Sequence, residues 1–380
     1  MRTLLALILP ASFAAAGPKP GDEGTPEYAK AAELVKQLGS PRFAAREAAA
    51  KELVEMGGAA VQALRAGTRS SDEEVRNRST LLLPKAIAAE WDRRATAFLA
   101  DRDGKQKHEL PLLAEFEMAV GPLDAGSRKQ FADMLRAHGP LMELAAADRE
   151  AAAVALEDRA QKCLQNFRVA GGQAKAPTGE WSALVFVHAI VKEKEDYDAL
   201  DDHHVPALLN NPGVPEAMKA DDIGPAVRRL LVRWIDSRPK EDWQSGLEFS
   251  LLVYRHPFPE AADPLLKLAK EGTVVRRVAP EALGKIDGKS ALDALTGLLD
   301  NTSIAYAGVG GPDEPLLCDC ALAALANRTK RQPTDFGLTS YLSTTYRFGS
   351  ESFILHVYGF KSADDRQKGL KKWKDEPAKK

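Results

Sequence analysis

The sequence predicts an all-α protein built from stacked antiparallel helix pairs, with a less regular helical middle segment. Two observations support this fold class. Apolar residues recur at helical spacing through most of the chain, as Ala279, Ala282, Leu283 and Ile286 do at i, i+3, i+4 and i+7. Turn-forming residues divide these runs into short helices, and similar runs return further along the chain, which is typical of repeat proteins.

The first residues are typical of a secretory signal peptide. Arg2 precedes an apolar run, residues 4–13, and three alanines end at Ala16 before Gly17. This run is too short to cross a bilayer, and no later segment reaches the roughly 20 apolar residues of a transmembrane helix. We therefore expect cleavage after Ala16, no transmembrane segment, and an exported protein that is periplasmic or secreted.

Charge and cysteine content exclude two further classes of protein, nucleic-acid binders and disulfide-built scaffolds. The chain has 52 Lys and Arg against 54 Asp and Glu, a formal net charge of −2. Nucleic-acid binders rely on a net basic face, so we expect no nucleic-acid partner. Cys163, Cys318 and Cys320 are too few for a disulfide-built scaffold, so the apolar core must hold the fold. Whether Cys163 pairs with one of the other two stays open.

Capping signals place the first helices. A Ser-Pro pair at 40–41 predicts an N-cap and a first helical residue. Ser71 with Glu74 predicts a capping box at the start of a later helix. The Gly-Gly pair at 57–58 predicts the end of the helix that begins at Pro41. The sequence therefore predicts two consecutive helix pairs near the N-terminus.

Two internal similarities indicate repeats. Phe43 and Arg46 recur as Val75 and Arg78, at an offset of 32 residues. Near the C-terminus, "VRRVAPEAL" at 275–283 aligns with "LCDCALAAL" 42 residues later. Such helix pairs bury their apolar sides by stacking on neighbours, which predicts an α-solenoid.

These segments resemble the HEAT repeats, including the short bacterial form found in phycobilisome lyases. The likeness rests on "VVRRVAPEALGKIDGKSALDALTGLLDN" at 274–301, "SPRFAAREAAAKELVEMG" at 40–57 and "SSDEEVRNRSTLLL" at 70–83. With the signal peptide and the terminal "YGFKSADDRQKGLKKWK", the chain is similar to exported bacterial HEAT-repeat proteins of unassigned activity. The resemblance implies a helical solenoid used for binding, and it carries no catalytic residues.

The sequence departs from this family at two positions. Pro280 stands where a helix-forming residue is usual, so its helix either kinks or starts late. Cys318 stands where an arginine is usual. We expect the repeat arginines to bridge turn carboxylates, with Asp72 and Asp300 as partners. The residues assigned to the repeat structure are Phe43, Arg46, Asp72, Val75, Arg76, Arg78, Arg276, Arg277, Leu283, Asp300 and Leu325.

The predicted organisation has six segments. They are a signal peptide (1–16), a flexible linker (17–27), N-terminal HEAT-like repeats (28–92), a helical middle segment (93–256), C-terminal HEAT-like repeats (257–332) and an extension with a basic helical tail (333–380). Within the extension, "ESFILHVYGF" alternates weakly enough to predict at most a short strand. The lysine-rich tail predicts a solvated terminal helix.

Three patterns stand out as candidate sites or as core. Gly284 and Gly288 precede Lys-Ser with three residues between them, whereas a phosphate loop needs four, so we predict a turn between helices. Middle-segment aromatic residues predict core packing: Trp181, Phe186, Trp234, Trp243, Phe249 and Tyr254. An acidic stretch ending in two histidines offers either a divalent-cation site or a solvated helix end, at Asp198, Asp201, Asp202, His203 and His204.

No hydrolase motif such as G-x-S-x-G or H-E-x-x-H occurs in the sequence. We therefore expect a non-catalytic binding or scaffold protein without a cofactor, whose partner is a protein or a cell-envelope polymer. The alternative is a metal-dependent hydrolase that uses the Asp198–His204 cluster.

Overall fold

The computed structural model describes residues 24–169, 175–191, 204–239, 242–271, 275–305, 314–348 and 351–376. Helices dominate these ranges, and the strands within them form a two-stranded sheet. The prediction of a predominantly helical protein is confirmed. The predicted signal peptide lies outside the described residues.

The first helices in chain order are α1 (Pro26–Gln37), α2 (Phe43–Glu55), α3 (Gly58–Gly67), α4 (Glu73–Ala100), α5 (Leu113–Val120), α6 (Ala125–Ala147), α7 (Arg149–Val169) and α8 (Thr178–Val191). The later ones are α9 (His204–Leu208), α10 (Gly213–Lys219), α11 (Gly224–Asp236), α12 (Trp243–Arg255), α13 (Ala262–Glu271), α14 (Ala279–Lys285), α15 (Lys289–Gly297), α16 (Leu317–Arg328) and α17 (Ala363–Asp375). None of the described helices has both the length and the apolar character needed to cross a membrane.

The chain forms two compact units. The first extends to Leu112 and includes Leu135–Arg149, and the second comprises Leu113–Met134 and the chain from Glu150 onward. In the first unit, α1 to α4 pack around a core that contains Leu38, Leu53 and Leu64.

Helix starts in the first unit differ from the predicted ones by one or two residues. α2 begins at Phe43, after Arg42, rather than at the Ser-Pro pair. α4 has Asp72 as its N-cap, and the Asp72 Oδ1 accepts bonds from the backbone N–H of Glu74 at 2.9 Å and of Val75 at 3.1 Å. A carboxylate at this position satisfies two backbone N–H groups and is stabilised by the positive end of the helix dipole. Asp72 is therefore the N-cap in place of the expected Ser71.

An arginine closes the turn between helices in the same way at three places. Arg46 donates to the carbonyl of Ser40 at 2.8 Å, and Arg76 donates to that of Ser70 at 2.9 Å. In the second unit, Arg276 donates to the carbonyl of residue 270 at 3.1 Å. Each arginine therefore caps a carbonyl six residues earlier.

This contact corrects the repeat offset near the N-terminus. The residue equivalent to Arg46 is Arg76, 30 residues later, and not Arg78. The predicted equivalence of Phe43 and Val75 fails as well, because Phe43 is 65% exposed and Val75 is buried. At the offset of 30, Ala49 matches Ser79, and both are buried three residues after the arginine.

Arg46 and Arg78 pair with glutamates rather than with the expected aspartates, and the Arg46 Nε lies 3.5 Å from the Glu74 Oε1. Arg78 bonds to Glu47 at 2.8 Å and to Glu74 at 2.5 Å. The expected partners have other roles: Asp72 caps α4, and Asp300 pairs with Lys374 at 3.3 Å. Asp72 does not pair with an arginine because, as a helix cap, it has its oxygens directed at backbone N–H groups.

In the second unit, a 3-10 turn (Val275–Arg277) precedes α14. Pro280 is the second residue of α14, so the helix starts late, as one of the two predicted outcomes had it. The predicted core residues Leu283 and Leu325 are fully buried.

The two strands form an antiparallel hairpin of β1 (Thr339–Phe348) and β2 (Glu351–Gly359). The register pairs Leu342 with Val357 and Tyr346 with Phe353. Val357 is buried, and the inward side of the hairpin packs on α16 through Cys320. The segment "ESFILHVYGF", for which at most a short strand was predicted, forms the nine-residue strand β2, and β1 was not predicted.

A terminal helix is present as α17, which follows the hairpin, but it is docked on the fold, whereas a solvated helix was predicted. Arg366 donates two bonds to the carboxylate of Asp319 in α16, at 2.8 and 3.0 Å. Asp319 is fully buried and also accepts from the backbone N–H of Leu316 at 3.0 Å. Trp373 is buried against Phe336.

Candidate functional site

The Gly-Lys-Ser segment is a turn, as predicted. It joins α14 to α15, and Gly288 has a φ of +101°, a conformation that favours glycine. Backbone carbonyls of the turn accept bonds from the guanidinium of Arg328, with the Gly288 carbonyl at 3.1 Å. A segment that presents carbonyl oxygens to a cation has the opposite polarity from a phosphate loop, which presents N–H groups.

Most of the predicted cation site lies outside the described residues, namely Asp198, Asp201, Asp202 and His203. His204 begins α9, and its Nδ1 contacts the carboxylate of Glu157. Pro206 lies within α9, which extends to Leu208. The described ranges hold no group of three or more His, Cys, Asp or Glu arranged to bind a metal ion.

The three cysteines all lie in described ranges, and each is a buried free thiol. Burial raises the pKa of Cys163 and of Cys318 to about 12. Cys320 is 4% exposed and packs in the core between α16 and β2. A protonated, buried thiol is a poor nucleophile, so these residues serve as core packing.

Among the middle-segment aromatic residues, four are fully buried as predicted: Trp181, Phe186, Trp234 and Phe249. The prediction was wrong for Trp243, which is 49% exposed. Tyr254 is half-buried. Both lie on α12, 11 residues apart, and three helical turns place them on the same side of the helix, about 16 Å apart along its axis. We call the side that carries Trp243 and Tyr254 the α12 face.

A pocket of about 260 Å³ opens beside Trp243, at the N-terminal end of the α12 face. Its apolar lining includes Ile235, Pro264, Leu268 and Val275 from α11, α13 and the 3-10 turn. Its charged lining is Asp236, Arg238, Asp242, Lys267 and Glu271. We call this the Trp243 pocket; it combines an indole wall with groups of both charges.

The deepest charged group of the pocket is held by the core. Arg238 is 8% exposed and donates to the backbone carbonyl of His188 in α8 at 2.9 Å. The imidazole of His188 in turn accepts from the indole N–H of Trp234 at 2.7 Å. Asp242 is also committed, because it caps α12 through the backbone N–H of Ser245 at 3.0 Å. These bonds fix the inner walls of the pocket.

The charged pair at the outer edge of the pocket is partly exposed and only loosely paired. Asp236 and Lys267 are 41% and 50% exposed, and their nearest charged atoms are 3.9 Å apart. That distance is beyond a hydrogen bond, so both groups keep hydrogen-bonding capacity. Burial raises the pKa of Asp236, while Lys267 and Arg233 lower it. A partly desolvated carboxyl of this kind gains from any donor that a ligand brings.

At the other end of the α12 face, Tyr254 joins an aromatic stack with the hairpin. Its ring lies 5.1 Å from that of Phe353 with an interplanar angle of 19°. Phe353 in turn stacks on Tyr346 of the opposite strand at 6.2 Å. We call these three residues the hairpin stack; it holds the sheet against α12.

Cations lie over all three rings of the hairpin stack. Arg255 is 5.5 Å from the centre of Phe353, Arg277 is 6.0 Å from that of Tyr346, and Lys285 is 4.9 Å from that of Tyr254. Such cation–π contacts are worth about 0.5 to 1 kcal/mol each at exposed sites. This end of the α12 face is therefore aromatic and positively charged.

A buried acid lies close to the hairpin stack. Burial raises the pKa of Glu281 in α14 to about 7, against the opposing effects of Lys285 and the Asn327 amide. Its charge also raises the pKa of Tyr254, a smaller cause there than burial. Around neutral pH, the cations over the stack therefore have only a partly ionised carboxyl beside them.

No protein-family model, curated protein or solved structure matches the chain. In the sequence, Trp243 and Tyr254 are 11 positions apart, a spacing that places two side chains on the same side of a helix, but the sequence does not show that this side is exposed.

Proposed function

We propose that this chain is a non-catalytic binding protein that holds an extended partner, a protein or a cell-envelope polymer, along the α12 face. The observation that carries the proposal is the presence of two aromatic features about 16 Å apart on one side of one helix. A partner that reaches both is longer than a single small ligand.

The composition of the face supports recognition rather than chemistry. Tryptophan and tyrosine are enriched at the energetic centres of interfaces, because they bury a large area at a low cost in conformational entropy. Here Trp243 and Tyr254 lie on a helix that is anchored by buried residues such as Phe249 and Leu252, so little ordering of the backbone is needed on binding.

The proposal also takes the helix pairs to be HEAT-like repeats of an α-solenoid and the protein to be exported. What supports the repeats is the arginine turn shared by Arg46, Arg76 and Arg276. What supports export is the signal-peptide pattern of residues 1–16. A repeat scaffold carries binding residues on successive helices and needs no active site.

The test is capture with matched variants. The chain is immobilised and exposed to the exported fraction of the source organism, beside Trp243→Ala, Tyr254→Ala and the control Met118→Ala, whose side chain is 78% exposed on α5. We expect one saturable partner that the chain and the control retain and that both face variants lose at least tenfold. A partner retained equally by all four proteins would place binding elsewhere and refute the use of the α12 face.

The metal-dependent hydrolase stays the alternative, because four of its five candidate residues lie outside the described ranges. Stoichiometric metal in the purified chain that disappears in a His203→Ala, His204→Ala variant would favour it. His204→Ala alone is a necessary comparison, because this substitution removes the contact between His204 and Glu157 as well as a candidate metal ligand.

A further inference from the structure

We propose that the Trp243 pocket binds one neutral sugar ring of a glycan, so that the partner of the α12 face is a polysaccharide. This inference rests on the proposed function and names the class of its partner.

The size of the pocket sets the size of the bound group. Its volume of about 260 Å³ lies just below the range of roughly 300 to 1,000 Å³ of pockets that take drug-sized ligands. One ring with its substituents fits this space. The pocket is therefore a subsite for one unit of a longer molecule that continues along the face.

The lining selects a group with an apolar face and a polar rim. The Trp243 indole, Leu268 and Val275 offer apolar area, while Asp236 and Lys267 stand at the edge with hydrogen-bonding capacity to spare. A wholly apolar side chain would cover these two charged groups without replacing their water, which costs free energy. The C–H face of a pyranose can stack on the indole while its hydroxyls reach the edge.

The charge balance of the edge favours a neutral ligand. Asp236 and Lys267, 3.9 Å apart, already compensate each other, and the other charged groups of the lining (Arg238, Asp242 and Glu271) have partners of their own. A charged ligand would therefore leave one charge at the edge without a partner. A pair of neighbouring hydroxyls donates to Asp236 and accepts from Lys267 at the same time. The ion pair is thereby completed through the ligand without a change in net charge.

The tryptophans of the chain provide a direct measurement. All five lie in described ranges, and Trp91, Trp181, Trp234 and Trp373 are at most 8% exposed, whereas Trp243 is 49% exposed. Iodide should therefore quench only Trp243, and a ligand in the pocket should shield it. The full chain is titrated with neutral trisaccharides of glucose (α- and β-linked) and of N-acetylglucosamine, beside a galacturonic acid trisaccharide and the peptide acetyl-Gly-Phe-Gly-amide.

We expect at least one neutral trisaccharide to shield Trp243 from iodide and to shift its emission to shorter wavelength. Calorimetry on the same sugar should show at least tenfold weaker binding to Trp243→Ala and to Asp236→Asn, with Met118→Ala unchanged. Melting temperatures of the variants, expected within a few degrees of the parent chain, separate loss of binding from loss of fold.

The outcomes distinguish this inference from the proposed function. Shielding by the peptide or the acidic sugar alone, or by none of the probes, overturns the assignment of a neutral sugar. If the captured partner still depends on Trp243 and Tyr254 in that case, the proposed function stands and only the class of partner changes. If capture is also independent of both residues, the proposed function fails as well.

Discussion

Helices α8 and α12 look alike in sequence and differ in what they expose. Each has a tryptophan near its start, and both belong to the second unit. In α8 the tryptophan, Trp181, is fully buried with nearly every other residue of the helix. In α12 the corresponding Trp243 is half-exposed, although Phe249 behind it is fully buried.

The difference follows from the polar residues between the aromatic ones. From Trp181 to Val191, α8 is apolar almost all round and can only be stable when it is covered on all sides. α12 contains polar residues such as Gln244 and Glu248, so part of its surface faces solvent. A large aromatic side chain on a helix that already has a polar side is therefore the better indication of a binding surface.

The largest test of this comparison is Trp181→Ala. Removing a fully buried tryptophan leaves a cavity, and we expect a loss of about 3 to 5 kcal/mol in the free energy of unfolding, measured by urea denaturation. Trp243→Ala should cost less than about 1 kcal/mol, because half of its surface is already in water. Equal losses in the two variants would mean that Trp243 is core.

The next largest effect concerns Glu281, near the Tyr254 end of the α12 face. Its folded pKa of about 7 lies above the ordinary value of 4.5, so the folded state holds a proton that the unfolded state releases between these pH values. Stability contributed by the protonated form is complete below pH 4.5 and is lost as pH rises to about 7. We expect Glu281→Gln to remove this loss and to stabilise the chain by about 2 to 3 kcal/mol at pH 8.

Unfolding free energies at pH 4.5 and pH 8 measure this effect. The parent chain and the glutamine variant should be about equally stable at the lower pH, and the variant should be the more stable one at the higher pH. Glu248→Gln is a useful comparison for the same pair of measurements. Burial raises the pKa of Glu248 as well, but the Asn210 amide donates to its carboxylate at 2.9 Å and opposes that rise. A glutamine at 281 that destabilises at pH 8 would contradict the raised pKa.

His256, which follows α12, should act in the opposite direction. It is only half-buried, so solvent screens part of its effect, and we expect a smaller change than for the buried Glu281. Burial, helped by Lys219 and Arg255, lowers its pKa to about 4, so the unfolded state binds the proton more readily between pH 6.5 and pH 4. Stability is therefore lost as pH falls through this window. In His256→Asn we expect a flatter stability profile from pH 6.5 to pH 4, with nuclear magnetic resonance titration of the His256 ring as the direct check.

The smallest expected effect is that of Gly246→Ala in α12. An added Cβ would lie 3.0 Å from the Val275 Cγ2 and 3.1 Å from the Leu268 Cδ2, so both pocket-lining side chains would have to shift. The gain in helix propensity offsets this strain, and we expect a change within about 1 kcal/mol in stability. Ligand affinity at the Trp243 pocket should fall more than stability does, whereas an unchanged affinity would show that these side chains adapt freely.

Several features could be predicted from the sequence because their causes are local. Helical periodicity, the late start of α14 at Pro280 and the turn at Gly288 each depend on a few neighbouring residues. The strand β1 was missed because its alternate Ser and Thr residues give little apolar signal, and its stability comes from pairing with β2.

The features that were missed depend on residues far apart in the chain. The offset of 30 was hidden because Arg76 and Arg78 both resemble Arg46, and only the contact with the Ser70 carbonyl distinguishes them. The exposure of Trp243 depends on how α11 and α13 pack beside it, which the spacing within α12 does not encode. Periodicity shows which side of a helix is apolar, and it does not show whether that side is covered.

The ion pair between Asp319 and Arg366 has a consequence for the order of folding. A fully buried carboxylate without its cation is strongly destabilising, so α16 reaches its final environment only after the chain has been synthesised past residue 366. Before residue 366 has been synthesised, we therefore expect α16 to be incompletely packed around Asp319.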